Sequence, residues 1–393
     1  MPQPPRIALF ANTEWYLYNF RLPLAKRLQV ELGAEVWVIC PDGPYRPRLE
    51  AEGFHWISAE VDRRGLNPVR DLTAAARLAR DLRKVRLDLL HNFTLKSILI
   101  GTLAARRAGT PRIVNAVTGL GSMFSSSHWG RYRLPRTLLE AFLRWTFRNP
   151  GTRTIFQNPS DLAQVATHAG HQDRCRLIAG SGIDTDRFHP SDRPSTPPRL
   201  ILASRLLKDK GIGDFCEAAS IVHQSCPEVV FQVAGEIDEG NPGSFSPLEL
   251  EALKCRFPMV QFLGHRDDMP DLYRQATLAV LPSHYREGVP RSLLEAAASG
   301  LPLVAVDGEG IRDIVRHGSN GRLVPPKDGG ALAEALLELL VDPSTREAYG
   351  RESRRLVVEG FDQRRVLDAT FAVYQELGFP PRSDAPERMR VEP

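Results

Sequence analysis

Residues 278–298 read LAVLPSHYREGVPRSLLEAAA. The run Leu278–Leu281 is short, apolar and uncharged, as a buried strand is. Gly288 and Pro290 then break the pattern, and Leu293–Ala298 is a run of helix formers. Proline is favoured at the first helical position, so the helix is predicted to begin near Pro290. A strand passing through a short loop into a helix is the unit of a parallel sheet covered by helices. The free N–H groups at the start of such a helix lie at the carboxyl end of the strand. Open α/β sheets bind ligands there, and a helix N-terminus receives anions. Gly288, with Val289 and Pro290 beside it, lets the backbone approach a phosphate closely. Glu287 and Glu295 flank this anion site although carboxylates repel phosphate. That placement has a reason if each accepts hydrogen bonds from sugar hydroxyls, Glu287 from a transferred sugar and Glu295 from a ribose.

The same alternation extends in both directions. Upstream, strands are predicted at 7–11, 35–40, 54–60, 87–92, 112–117, 152–157 and 175–179. Helices are predicted near 22–31, 68–85, 96–107, 134–147 and 160–168. Residues 189–199, HPSDRPSTPPR, carry four prolines and no apolar periodicity, which is a linker composition. Strands then restart at 200–204, 229–234, 260–263, 278–281, 303–306 and 323–324. The expectation is an α/β protein with a first domain over 1–188, a linker over 189–199 and a second domain over 200–360. A last helix over 361–379 precedes a frayed tail over 380–393.

A second charged loop follows the first strand of the second domain, in ASRLLKDKG, residues 203–211. Arg205 and Lys210 are placed to converge on a diphosphate. When a sugar leaves a nucleotide, negative charge grows on the diphosphate, and one preorganised contact to it contributes ~3–4 kcal/mol. Such cations can replace a metal, and no Asp-x-Asp pair or His/Asp cluster arranged to hold Mn²⁺ or Mg²⁺ is read, so no metal and no other cofactor is expected. Asp267–Asp268 reads as the start of a helix running through Tyr273.

Composition sets the frame. The chain has 393 residues, 42% hydrophobic and 25% charged, ordinary for a globular protein of two or three domains. Its five cysteines show no metal or redox spacing and read as reduced thiols. No apolar run reaches the ~18 residues of a membrane span, and the first nine residues lack a signal-peptide layout, so a cytoplasmic protein is expected. Residues 1–190 carry 27 Lys/Arg against 16 Asp/Glu, whereas the remainder carries 24 against 31. Residues 128–153 mix Arg131, Arg133, Arg136, Arg144 and Arg148 with Leu138, Leu139, Phe142, Trp145 and Phe147. This suits an anionic membrane surface, each basic residue contributing ~1 kcal/mol, although a core helix with a solvated basic face fits the same pattern. No nucleic-acid motif is present, so no nucleic-acid partner is expected.

With these residues in place, the chain resembles the retaining glycosyltransferases of family four, which have the GT-B fold. The likeness rests on EGVPRSLLE, residues 287–295, with two Glu separated by seven residues, and on RLLKDKG, residues 205–211. It extends through residues 262–283 and through SGIDTDRFHP, residues 181–190. The resemblance implies two Rossmann-like domains facing across a cleft and metal-independent transfer with retention. Arg205 and Lys210 would bind the diphosphate, Glu295 the ribose, Glu287 the sugar, and Gly264 and Arg266 would line the base. The final helix would cross back to the first domain. Thr118 stands where many members have a histidine, and Ala11–Glu14 where many have a Gly-Gly loop. Roles that depend on those features do not carry over.

Residues 12–28, 91–97 and 118–124 are similar to a bacterial subgroup extending lipid-linked oligosaccharides, O-antigens or capsules, often from UDP-N-acetylhexosamines such as GalNAc or GlcNAc. That implies a UDP-sugar donor, a lipid-linked saccharide acceptor and a place on the inner face of the plasma membrane. Asn12, Thr13, Thr118 and Gly119 would position the acceptor. Arg21, in the first helix and turned toward the cleft, is a candidate ligand for an acceptor phosphate. No residue is an evident nucleophile for double displacement. The competing readings are a GDP-mannose-type hexosyltransferase, a nucleotide-sugar epimerase of similar fold and a catalytically silent subunit.

Overall fold

The computed structural model describes residues 3–62, 67–119, 141–142, 144–146, 148–166, 172–191, 196–284 and 288–381. The chain forms two α/β units, residues 1–181 with 364–393, and residues 182–363.

The first unit is built on seven strands: β1 (Arg6–Phe10), β2 (Glu35–Cys40), β3 (His55–Ser58), β4 (Leu89–Phe93), β5 (Arg112–Val117), β6 (Thr152–Phe156) and β7 (Cys175–Leu177). Their order is β3-β2-β1-β4-β5-β6-β7, all parallel. Side chains alternate across a strand, so an apolar run such as β1 serves two cores. Ile7 and Leu9 join Val36, Val38, Leu89 and Val114 on one face. Ala8 and Phe10 join Ile39, Leu90 and Ile113 on the other, under helices Pro68–Val85 and Leu95–Ala108.

The helix Gln363–Glu376 belongs to this first unit. Its Val366, Phe371, Val373 and Tyr374 enter the core that holds Ile7 and Leu9. Arg153 and Arg176 both reach Glu376 at 2.8 Å, and the Arg112 Nε donates to the Leu377 carbonyl at 2.5 Å.

The second unit has six parallel strands: β8 (Arg199–Ala203), β9 (Val230–Ala234), β10 (Val260–Gly264), β11 (Leu278–Leu281), β12 (Leu303–Val306) and β13 (Gly321–Val324). Their order is β10-β9-β8-β11-β12-β13. Leu200, Leu202, Phe231, Val233, Leu278 and Val304 form the core with helices Ile212–Ser225 and Gly329–Val341.

The division between units falls at 181–182, ahead of the expected linker at 189–199. The reason is hydrogen bonding. Ile183 donates to the Phe361 carbonyl and accepts from the Gln363 N–H, both at 2.9 Å. The Thr185 hydroxyl donates to Asp362. Arg354 donates to the carbonyls of Thr185 and Phe188 at 2.9 and 2.7 Å. Residues 182–188 are thus fastened to the second unit. Proline content marked chain outside the sheet, not the edge of a unit. Among the described residues no helix is long and apolar enough to cross a membrane.

Candidate functional site

In the second sheet the strand order reverses between β8 and β11. The two loops picked out from the sequence leave the carboxyl ends of these two strands, which is where open α/β sheets bind ligands. After β8, the Ser204 N–H donates to the Ala234 carbonyl at 3.0 Å and the Leu206 N–H to the Glu236 carbonyl at 2.9 Å. These bonds fix the backbone on either side of Arg205. Its side chain is 55% exposed and its Nη1 lies 2.6 Å from Asp238. Lys208–Lys210 is a short 3₁₀ turn, closed by the Lys210 N–H donating to the Leu207 carbonyl at 3.0 Å.

The two loops are tied together. Gly211 has φ +72°, and a Cβ there would stand 2.0 Å from the Pro282 carbonyl oxygen. Only glycine allows both that conformation and that approach. The His284 N–H donates to the Asp209 carbonyl at 2.8 Å, and the His284 Nε2 meets the Asp214 carboxylate. Burial pushes the Asp214 carboxyl up, and His284 opposes that shift. The His284–Asp214 pair was not singled out in the sequence. Its members lie 70 residues apart, so spacing carries no signal of it.

The helix after β11 spans Arg291–Ala298, in line with a start near Pro290. Pro290 is its N-cap, with ψ 114°, and its carbonyl accepts the first helical bond from the Leu294 N–H at 3.3 Å. The fixed φ of proline suits the cap as well as the first turn, so the residue alone does not choose between them. Gly288 and Val289 form the bend before it. Glu295 keeps 16% of its side-chain surface and pairs with Arg291 at 2.9 Å. Burial pushes its carboxyl up, while Arg291 and, more weakly, Arg187 hold it down. Arg187, from the SGIDTDRFHP stretch, is therefore a neighbour of this carboxylate that the sequence reading did not bring forward. Glu287 lies outside the described residues.

Gly264 ends β10 with φ +67°, and its carbonyl accepts from the Gly235 N–H at 2.8 Å. Arg266 is engaged two ways by Asp268, at 2.8 and 2.5 Å, so its fork is occupied within its own turn. Asp268 caps helix Met269–Arg274. The Asp-x-Asp in the chain, Asp184 and Asp186, shapes a turn: the Asp184 carboxylate accepts from the N–H groups of Asp186 and Arg187 at 3.1 and 2.9 Å. Among the described residues no group of three His, Cys, Asp or Glu is placed to hold a metal.

In the first unit, Asn12 and Thr13 follow β1, and Thr118 and Gly119 follow β5, on the carboxyl side of the sheet. Thr13 caps the turn Glu14–Tyr16 through its hydroxyl, which accepts from the Tyr16 N–H at 3.2 Å. Arg21 departs from its expected setting. It closes a π-helical turn, Leu17–Arg21, ahead of helix Leu22–Leu32, and is only 6% exposed. The basic stretch 128–153 lies largely outside the described residues. Of the part described, Phe142 packs against the cluster of Ile98, Val117, Phe156 and Val165, and Trp145 lies under Arg106 at 3.8 Å. Both rings are partly buried against the first unit.

Known proteins match this geometry. The family described as Glycosyl transferase 4-like matches residues 6–158, and Glycosyl transferases group 1 matches residues 184–356. The chain is 29% identical over 385 residues to the N,N'-diacetylbacillosaminyl-diphospho-undecaprenol alpha-1,3-N-acetylgalactosaminyltransferase of Campylobacter jejuni, covering 95% of this chain and 99% of the relative. It is 25% identical to the UDP-Gal:alpha-D-GlcNAc-diphosphoundecaprenol alpha-1,3-galactosyltransferase of Escherichia coli, covering 80% and 82% of the two chains. Among solved structures, Anabaena Alr3699/HepE in complex with UDP and glucose superposes with a TM-score of 0.74 at 19% identity, over 94% of this chain and 99% of that one. The last of these speaks for the GT-B fold alone. Two parallel-sheet units, each matched by a glycosyltransferase family, with charged loops at the reversal point of the second sheet, place the chain among the GT-B glycosyltransferases.

Proposed function

We propose that the chain moves an N-acetylhexosamine from a UDP-sugar to a lipid-linked saccharide at a membrane surface, without a metal and with retention at the anomeric carbon. The observation that carries this reading is the joining of the Arg205–Lys210 loop to the loop after β11 through Gly211, Asp209 and His284. This ties the backbone of the loop that carries both cations to the loop leading into helix Arg291–Ala298, in the part of the chain matched by group 1 glycosyl transferases, and so supports the reading that the cations and the helix N-terminus share one anion. The named activities of the Campylobacter and Escherichia relatives, both on diphospho-undecaprenol saccharides, support the acceptor class.

In the proposed step the bond from the anomeric carbon to the diphosphate oxygen breaks as the acceptor hydroxyl approaches from the same face. The new glycosidic bond forms there, and the acceptor proton passes to the departing phosphate oxygen. Arg205 and Lys210 stabilise the charge growing on that oxygen. Glu295 holds the ribose, Glu287 the sugar, and Asn12, Thr13, Thr118 and Gly119 position the acceptor. The test is a panel of UDP- and GDP-sugars offered with an undecaprenyl diphosphate saccharide in the presence of a chelator, read by mass spectrometry. Acceptor-dependent gain of one N-acetylhexosamine from a UDP donor is expected. Isomerised UDP-sugar without transfer would establish an epimerase instead.

A further inference from the structure

Two arginines are deeply buried among the described residues, and the fold treats them in opposite ways. Arg27, 5% exposed, lies between the carboxylates of Glu31 and Asp368, and its charge is neutralised. Arg21, 6% exposed, has no carboxylate within ion-pair reach among the described residues. Its Nε and Nη2 both donate to the Tyr16 hydroxyl, at 3.2 and 2.8 Å. Its guanidinium carbon stands 4.4 Å from the Phe93 ring centre and 5.4 Å from that of Tyr16. Its Nη1 makes no hydrogen bond, and the Tyr16 hydroxyl, having accepted two, still has its own proton to donate. Ring faces return less than a desolvated cation loses, so a fold that needed only packing here would do as well with an apolar side chain.

The location is independent of the charge. The strand order of the first sheet reverses between β1 and β4, which makes their carboxyl ends the expected ligand crevice. Arg21 ends the π turn that follows β1, and such turns are frequent at functional sites. Phe93, on which Arg21 rests, is the last residue of β4. The next residue, Thr94, holds φ +74°, a conformation that a β-branched side chain adopts only under strain.

We propose that Arg21 and the Tyr16 hydroxyl form a phosphate-binding site in the first unit, made from residues other than those of the donor site, which takes the phosphate end of the acceptor. This rests on the reading of the acceptor as a diphosphate-linked lipid. Arg21 supplies the charge and the open Nη1 donor, and Tyr16 the second donor. His91 is part of the setting. It is 1% exposed, packs on Phe93 with ring centres 4.1 Å apart, and is kept neutral by burial and by Arg21, so it adds no second positive charge beside the cation.

The experiment is calorimetric titration of the full chain held in saturating UDP, which fills the donor phosphate site. Inorganic pyrophosphate is the first probe and farnesyl diphosphate the second. At least one probe binds the wild type with one equivalent, and Arg21→Met weakens that binding tenfold or more. Arg21→Lys recovers part of it, and Lys254→Met, a surface change on helix Pro247–Arg256 of the second unit, leaves it unchanged. Binding of pyrophosphate alone shows that the headgroup suffices; binding only of the farnesyl compound shows that the lipid arm is read together with the phosphate. The melting temperature of Arg21→Met is equal to or above that of the wild type, because an uncompensated buried charge is removed. Absence of binding by the wild type, binding unaffected by Arg21→Met, or a clear drop in the melting temperature of that variant would each overturn the proposal. No turnover is involved, so failure here is distinct from failure of the transfer reaction.

Discussion

At the scale of single residues, the donor loop and the buried histidine give separate predictions. Arg205 is half exposed and makes its ion pair at the surface, so Arg205→Met leaves folding intact. Loss of one contact to developing charge lowers transfer by about 10²–10³-fold, measured as kcat with saturating donor. His91 is fully enclosed, its Nδ1 2.7 Å from the Tyr374 hydroxyl, and burial followed by the Arg21 charge holds its pKa well below the ordinary value of about 6.5. The unfolded chain therefore binds a proton below that pH that the folded chain refuses, and stability falls as the pH drops. The slope contributed by this one residue is about 1.4 kcal/mol per pH unit. Denaturant titrations between pH 6.5 and 5 should show that slope reduced by one proton in His91→Gln. The loop that carries Arg205 and Lys210 was legible in the sequence because its residues are local to one another. The pairing of His284 with Asp214, and the seat of Arg21 on Phe93, were not, since each joins segments that neighbour in space and lie far apart in the chain.

At the scale of elements, the last helix and the glycine hinge of the donor loop are the most exposed to test. Phe371 is 3% exposed, meets Tyr374 edge-on at 5.5 Å and lies under Arg27 at 4.6 Å. Phe371→Ala should destabilise the first unit by about 3–5 kcal/mol. Limited proteolysis should then release fragments of residues 1–181 before fragments of the second unit. Gly211→Ala places a methyl against the Pro282 carbonyl at a positive φ, which forces the two donor loops apart. Reduced UDP affinity with unchanged far-ultraviolet circular dichroism is the expected outcome. Elements were read well where a physical signal is local. Short continuous apolar runs located each described strand of both sheets, and Pro68–Val85 was bounded by Pro68 and the turn at Arg86. The π turn before Leu22 and the anchoring of residues 182–188 had no such signal, because both are set by tertiary hydrogen bonds and packing.

At the scale of the molecule, the asymmetry of charge and the presence of two sheets were visible from composition and alternation. What composition did not reveal is which basic residues are available. Arg106 covers Trp145, Arg153 and Arg176 bind Glu376, and Arg27 is neutralised inside the first unit, so the positive balance of residues 1–190 overstates the charge open to partners. Sedimentation with anionic and neutral liposomes separates surface attraction from acceptor recognition. The measurement that bears most directly on the proposed chemistry is transfer of N-acetylhexosamine from its UDP donor to an undecaprenyl diphosphate saccharide in excess chelator, for the wild type beside Arg205→Met and Lys210→Met. Transfer by the wild type with retained anomeric configuration, and its loss by at least a hundredfold in both variants while they remain folded, is expected. Transfer that needs added metal, or that proceeds at the wild-type rate without either cation, would contradict the assignment of these two residues as the metal-free stabilisers of the departing diphosphate.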